Sequence, residues 1–238
     1  MAAVSALVLG AASSGSLAEQ GPEIIEFSDA RLKIEANATD GDAGIQVFID
    51  ADPWKWIAIF DSDGRKIFQS TTRGGFALQG GTELFLESAE PEFSELPLEE
   101  FLERFPEGEY GFRGRGLERE IYVGSATLTH NIPDGPLLVF PVEGDGPVDP
   151  NNAVVMWEPV GAPNGSPIIA YQVLVVQLES DFDAIPKVAL DIFMPATATS
   201  MAVPPGFLLP GTEYEWEVLA IEESGNQTLS SSFFTTAE

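Results

Sequence analysis

The sequence predicts an all-β protein made of two tandem β-sandwich domains, with one short helix inserted in the first. Apolar runs of strand length recur along the chain, separated by turns rich in Gly, Pro and Asp. A segment dense in Pro and Gly at 131–136 divides the chain into halves of about 100 residues, the usual size of one sandwich. The 44% apolar residues, with 16 Phe and 4 Trp, are enough for two hydrophobic cores. We therefore place one domain at 22–133 and the other at 134–238.

The first 18 residues contain no charged side chain, and Ser16-Leu17-Ala18 offers small residues where a signal peptidase cleaves. The stretch is too short for a comfortable membrane span. It predicts a signal peptide at 1–18, although the usual Lys or Arg before the apolar run is missing; the alternative is an N-terminal strand. The chain has no Cys, whereas small secreted animal domains commonly carry disulfides. We therefore expect a bacterial protein that is secreted, periplasmic or at the cell surface.

In the N-terminal domain, apolar runs predict strands at 45–49 and 56–60, and later strands follow at 109–114 and 120–129. The loop at 61–64 is rich in Asp, ends in Gly and leads into another apolar run, which indicates a β-hairpin. Pairs of Gly flank residues 76–79, which we interpret as a short strand between two turns.

One segment departs from the strand pattern. Leu98, Phe101, Leu102 and Phe105 follow the i, i+3, i+4, i+7 spacing of one helical face. Pro is favourable at the first position of a helix and unfavourable inside it, so the flanking prolines bound a helix near 97–105. We expect this helix to lie across one end of the sandwich with its Glu side chains in water.

Three motifs follow one another in the C-terminal half. An apolar strand ends at Trp157, followed by Glu and Pro, and the next strand carries Tyr171 in a Tyr-x-Val pattern. In 209–220, Leu-Pro-Gly leads into a strand that begins at Tyr214 and places alternate apolar side chains on one face. A Tyr in this position is typical of a tyrosine corner, in which the phenol hydroxyl binds the backbone a few residues upstream.

These motifs resemble a fibronectin type III domain over residues 134–238. The resemblance implies that Trp157, Tyr171 and Tyr214 have structural roles in one sandwich core. It implies little about activity, because such domains are mostly spacers, adhesive modules or receptor-like binders. In the N-terminal half, Phe-Pro-Glu-Gly-Glu before Tyr110 repeats the spacing of Leu-Pro-Gly-Thr-Glu before Tyr214. We therefore predict a second tyrosine corner at Tyr110, and a second immunoglobulin-like sandwich around it.

The formal net charge is −27, from 38 acidic and 11 basic residues. Nucleic-acid binding depends on neutralising phosphates with Lys and Arg, and anionic membranes attract basic segments, so we expect neither as a partner. His130 is the only His, and no catalytic triad motif includes it. The sequence also has no Gly-rich phosphate-binding loop. The sequence therefore predicts a protein that is not an enzyme and has no obligatory cofactor.

Two patterns are candidate binding sites. Trp54 and Trp56 have the same parity in a predicted strand, so their rings share one face and, if exposed, form a platform on which sugar rings stack. The alternative is that one or both rings belong to the core.

The other pattern is acidic turns that carry Asp50, Asp52, Asp61 and Asp63. Closely spaced carboxylates on loops are suitable ligands for Ca²⁺, whereas the ordinary preference of turns for Asp and Gly explains the same residues without a metal.

Together these features predict a non-catalytic binding or structural module that engages an extracellular protein or polysaccharide. The alternatives are a carbohydrate-binding accessory protein that uses Trp54 and Trp56, and a calcium-dependent adhesin that uses the Asp turns.

Overall fold

The structure is a computed structural model that describes residues 21–178, 184–185 and 187–238. The signal peptide predicted at 1–18 lies outside these residues. The N-terminal domain contains β1 (Ile24–Glu26), β2 (Asp29–Asn37), β3 (Asp42–Phe60), β4 (Lys66–Thr71), α1 (Phe76–Gln79), β5 (Gly81–Glu87), α2 (Leu98–Arg104), β6 (Gly108–Gly116) and β7 (Ile121–Leu128). The C-terminal domain contains β8 (Leu138–Phe140), β9 (Val154–Trp157), β10 (Ile168–Gln177), β11 (Ala189–Pro195), β12 (Ser200–Ala202), β13 (Glu213–Glu222) and β14 (Gln227–Thr235). No described helix has the length and apolar character needed to cross a membrane.

Strand β3 is 19 residues long and pairs with different strands in its two halves. Its first half pairs with β2 and β5, whereas its second half pairs with β6 and β4. Register shifts between Asp50 and Trp54, and again between Trp54 and Trp56, mark the change of pairing partners. Pro53 lies at this irregularity, where a residue that cannot donate a backbone hydrogen bond is tolerated.

The helix predicted near 97–105 is present as α2. Pro97 precedes its first residue, and Phe101 is buried in the N-terminal core. Leu98, Leu102 and Phe105 pack against the same core, while the Glu side chains of the helix are exposed. The helix therefore forms because its apolar stripe closes one side of the sandwich.

Residues 76–79 form the single helical turn α1 and not the predicted strand. The backbone N–H of Gly80 donates to the carbonyl of Phe76 at 2.7 Å, and Gly80 has a positive φ of 81° that ends the turn. Phe76 and Leu78 are exposed, so no neighbouring sheet face requires an extended conformation here.

The C-terminal domain is a sandwich of two antiparallel sheets. Strands β14, β13, β10 and β11 form one sheet, and β12, β9 and β8 form the other. Trp157 and Tyr171 lie in the core between them, with ring centroids 5.5 Å apart. Tyr214 is fully buried in the same core, and its hydroxyl accepts a hydrogen bond from the Leu209 N–H at 2.9 Å.

Tyr110 occupies the corresponding place in the N-terminal domain. It is fully buried, and its hydroxyl donates to the carbonyl of Pro106 at 3.0 Å. The bond goes to this carbonyl because the N–H of Phe105, one residue earlier, already donates to Phe101 at the end of α2. The predicted all-β fold of two sandwiches with one short helix is confirmed.

A parallel pairing of β2 with β14 joins the two sandwiches. Gln227, Thr228 and Leu229 of the C-terminal domain pair with Glu35, Ala36 and Asn37 of the N-terminal domain. As a result, β5, the first half of β3, β2, β14, β13, β10 and β11 follow one another in a continuous sheet. Each domain still has its own hydrophobic core.

Candidate functional site

A buried polar network surrounds the junction of the two domains. The side-chain oxygen of Asn226 accepts a hydrogen bond from the Ile34 N–H at 2.8 Å, and its amide group donates to the carbonyl of Thr129 at 2.9 Å. The Thr228 hydroxyl donates to the carbonyl of Pro133 at 2.6 Å. Because Asn226 is 1% exposed, loss of these bonds leaves buried polar groups without partners. The network therefore holds the domains in one orientation.

Next to this network lies a groove of about 400 Å³, between β2 and the C-terminal domain. Its volume lies within the range of small ligand-binding pockets. Seven strands (β2, β3, β5, β7, β11, β13 and β14) and the turn after β13 contribute to its wall: Ala30, Arg31, Leu32, Lys33, Gln46, Val47, Phe48, Phe85, Ala126, Thr127, Phe193, Ile221, Ser224, Gly225 and Gln227. We call this feature the interdomain groove.

Two basic residues line the interdomain groove, and Asp29, Glu35 and Glu87 lie next to them. Arg31 and Lys33 line it, whereas no Asp or Glu does, in a protein with 38 acidic residues. The Lys33 ammonium donates to the side-chain oxygen of Gln227 at 2.7 Å. Burial lowers the pKa of Lys33 from its usual value, with Glu35 acting against this shift. The two basic side chains on its wall are within reach of a ligand that carries negative charge.

Exposed aromatic rings flank these two cations. Arg31, Phe48 and Phe85 are neighbours on adjacent strands, and the Arg31 guanidinium lies 4.7 Å from the centre of the Phe48 ring. Phe85 is 59% exposed, and Phe193 on the opposite side of the groove is 66% exposed. Apolar side chains clustered on the surface of a small domain often mark a contact site.

The structure does not form the exposed platform proposed for Trp54 and Trp56. Trp54 is 5% exposed and belongs to the N-terminal core, whereas Trp56 is half-buried and lies outside that core cluster. The register shift between them breaks the simple alternation from which a shared face was predicted. The Trp54 ring lies over Gly81, where an added Cβ would come within 2.6 Å of it.

The predicted calcium ligands are not brought together. No three of Asp50, Asp52, Asp61 and Asp63 place carboxylate oxygens within 4.8 Å of one another. Asp61 accepts hydrogen bonds from the N–H groups of Asp63 and Arg65, and both carboxylates form ion pairs with Arg65. Hairpin stabilisation therefore accounts for Asp61 and Asp63.

Among the described residues, one group of three carboxylates does converge, and the sequence patterns did not identify it. Glu35 on β2, Glu87 at the end of β5 and Glu90 in the loop after β5 place oxygens within 4.8 Å of one another. Burial, followed by the charges of Glu87 and Glu35, raises the pKa of Glu90 to about 7. Burial is also the main cause of the raised pKa of Glu35. The three acids meet because β2 and β5 both pair with β3 and the loop after β5 returns toward β2.

His130 has a structural partner. Its Nε2 lies 2.8 Å from the carbonyl of Phe105, and its backbone N–H donates to Glu107 at 2.7 Å. These contacts tie the end of the N-terminal domain to the segment after α2.

The residues of the interdomain groove were likewise not predicted from sequence patterns. Arg31, Lys33, Phe48 and Phe85 are the outward positions of their strands, since the residues between them face the N-terminal core. Basic and aromatic residues at outward strand positions could have indicated a binding surface. Their proximity to Phe193, however, depends on how the two domains join.

A family model of the fibronectin type III domain matches residues 141–236, while no curated protein matches the sequence. Among solved structures, fibronectin(III)-like modules of Clostridium thermocellum CbhA are similar, with 10% identity, a TM-score of 0.36 and coverage of 89% of this chain and 93% of that chain. The FN1-FN3 domains of chicken CNTN1 have 13% identity, a TM-score of 0.33 and coverage of 92% and 68%. The protein is therefore a fibronectin type III domain-containing protein, with this domain in its C-terminal part.

Proposed function

We propose that this protein is a non-catalytic module of the bacterial cell exterior that binds a protein partner in the interdomain groove. Fibronectin type III domains are typically binding or structural modules without catalytic activity. The signal peptide predicted at 1–18 supports a secreted, periplasmic or surface location. The observation that carries the proposal is the groove itself, because it combines two cations and exposed Phe rings in an otherwise acidic protein.

A rigid junction suits this role. The groove has walls from both domains, so its shape depends on their relative orientation. The pairing of β2 with β14 and the buried bonds of Asn226 hold that orientation before a partner arrives. Binding sites that are formed in advance lose less entropy when the ligand binds.

A protein partner is favoured over a polysaccharide for a specific reason. Trp54, which the carbohydrate hypothesis required at the surface, belongs to the core. The exposed rings of the groove are Phe85 and Phe193, which lack the polar group that Tyr and Trp use for hydrogen bonds. Such rings are better suited to apolar side chains.

The test is a capture experiment with the purified protein in culture fluid and envelope extract of its own organism. Phe193→Ser removes an exposed ring of the groove, and Phe76→Ser removes a ring of equal exposure, 67% against 66%, outside it. We expect a protein that the wild type and Phe76→Ser retain and Phe193→Ser loses. Equal retention by all three proteins, or capture of a protease-resistant polysaccharide, would contradict the proposal.

A further inference from the structure

We infer that the interdomain groove binds an extended segment of the partner, which adds a strand to the edge of β2 and places a carboxylate beside an apolar side chain. This inference rests on the proposed function and specifies the kind of ligand. Three features carry it: a strand edge with which no described strand pairs, a set of exposed aromatic rings, and a pair of cations on the groove wall.

The first feature is the backbone of β2. The N–H groups of Ile34 and Ala38 point toward the C-terminal domain, where they donate to Asn226 and to the carbonyl of Leu229. Backbone groups alternate in direction along a strand, so those of Ala30 and Leu32 point the same way, away from β3. Pairing of β14 with β2 begins only at Glu35.

Consequently, no described strand pairs with Ala30 or Leu32 on the groove side, and both residues line the groove. Unpaired edges of this kind accept an extended peptide through main-chain hydrogen bonds, while the adjacent side chains determine which peptide binds. A peptide in the groove can therefore form backbone hydrogen bonds with β2 like those that β14 forms farther along the same strand.

The second feature is the position of the aromatic rings relative to this edge. Phe48 and Phe85 continue the row that starts at Arg31 on β2, and Phe193 lies on the C-terminal side of the groove. A strand added at Ala30 and Leu32 runs between these two sets of rings. Side chains of a strand alternate between its two faces, so every second side chain of the added strand contacts the rings.

The third feature is the pair of cations. Arg31 and Lys33 flank Leu32 and point to the outer face of β2. Arg31 pairs with the carboxylate of Asp29 at 2.9 Å, and the charges of Glu35 and Glu87 act on Lys33. A carboxylate on the added strand replaces or joins Asp29 in a site where no acidic residue lines the groove. The ligand is therefore an extended peptide that carries Asp or Glu near aliphatic or aromatic residues.

A displayed library of random heptapeptides, selected on the wild-type protein, supplies the probe. We expect the enriched sequences to share an acidic residue beside an apolar one. One enriched peptide is then synthesised, and its affinity is measured by fluorescence anisotropy. Arg31→Ala and Lys33→Ala should each weaken binding about tenfold or more, because each removes a charge-assisted hydrogen bond. Arg73→Ala is the control, since Arg73 is exposed and lies outside the groove.

Strand addition makes a separate prediction about the backbone. Amide exchange at Ala30 and Leu32 should slow when the peptide binds, whereas Arg31 and Lys33, whose N–H groups face β3, should not change. N-methylation of alternate peptide residues should abolish binding in one register and leave it intact in the other. Unchanged exchange at Ala30 and Leu32 would overturn strand addition, even if the peptide binds.

The outcomes separate this inference from the proposed function. If Phe193→Ser loses the captured protein while the library yields no acidic peptide that depends on Arg31 and Lys33, the partner binds the groove as a folded surface. The proposed function then stands and the inference fails. If neither experiment depends on groove residues, both fail.

Discussion

The side-chain oxygen of Asn226, in the C-terminal domain, accepts a hydrogen bond from the backbone N–H of Ile34, in the N-terminal domain, at 2.8 Å. The bond lies one residue before the β14 segment that pairs with β2. A side chain thus supplies the hydrogen bond that a strand would otherwise provide. Asn226 marks the point where the shared sheet ends and the interdomain groove begins.

Asn226→Ala should destabilise the protein by about 1–3 kcal/mol, because it leaves the Ile34 N–H and the carbonyl of Thr129 buried without a partner. Calorimetry of the variant should show the two domains melting less cooperatively than in the wild type. Asn151→Ala, at an exposed position, serves as the control. An unchanged melting profile for Asn226→Ala would show that the junction does not depend on this side chain.

Tyr214→Phe should lower the free energy of unfolding by about 1 kcal/mol, the usual contribution of one hydrogen bond, here the one from the Leu209 N–H. Tyr110→Phe should have a similar effect through the carbonyl of Pro106. Urea denaturation of both variants, with fluorescence detection, measures the two losses. No loss of stability in either variant would mean that the corner hydroxyls are replaced by water at no cost.

Trp54→Ala and Trp56→Ala should differ sharply in thermal stability. Trp54 belongs to the core, so its truncation leaves a cavity and should cost about 3–5 kcal/mol. Trp56 is half-buried and lies outside the core cluster, so its truncation should cost clearly less. Thermal melts of the two single variants measure this difference, and equal melting temperatures would contradict the burial described for Trp54.

Glu90 should make the protein less stable as the pH rises. Burial and the charges of Glu87 and Glu35 raise its pKa to about 7 in the folded state, from an ordinary value of 4.5. Between these pH values the folded state binds more protons than the unfolded state, so this contribution to stability is present below about pH 4.5 and is lost as the pH rises through 7.

The measurement is the free energy of unfolding at pH 5 and pH 8 for wild type and Glu90→Gln. We expect the difference between the two pH values to shrink in Glu90→Gln, because the neutral amide removes the repulsion from Glu87 and Glu35. Glu103→Gln, on the exposed side of α2, should keep the wild-type difference. If wild type and Glu90→Gln show the same difference in the free energy of unfolding between pH 5 and pH 8, the Glu90 carboxyl group does not cause the pH dependence.

Sequence patterns predicted the structure correctly where it depends on residues close together in the chain. The helical spacing from Leu98 to Phe105 specified α2, and the similar spacing before Tyr110 and Tyr214 identified both buried tyrosines whose hydroxyls bind the backbone upstream. These patterns succeed because side chains a few residues apart meet within one element or one turn.

Strand alternation did not predict the faces of Trp54 and Trp56 correctly, because the register of β3 shifts between these two residues. One irregular residue reverses the facing of every residue beyond it, and the sequence alone does not locate it.

The contacts between distant segments were decided by the tertiary structure. The pairing of β14 with β2, the convergence of Glu35 with Glu87 and Glu90, and the interdomain groove each join residues far apart in the chain. Local composition determined that the chain forms two acidic β-sandwiches. The way those sandwiches share a sheet determined where Arg31, Lys33 and Phe193 meet, because that position depends on the packing of one whole domain against the other.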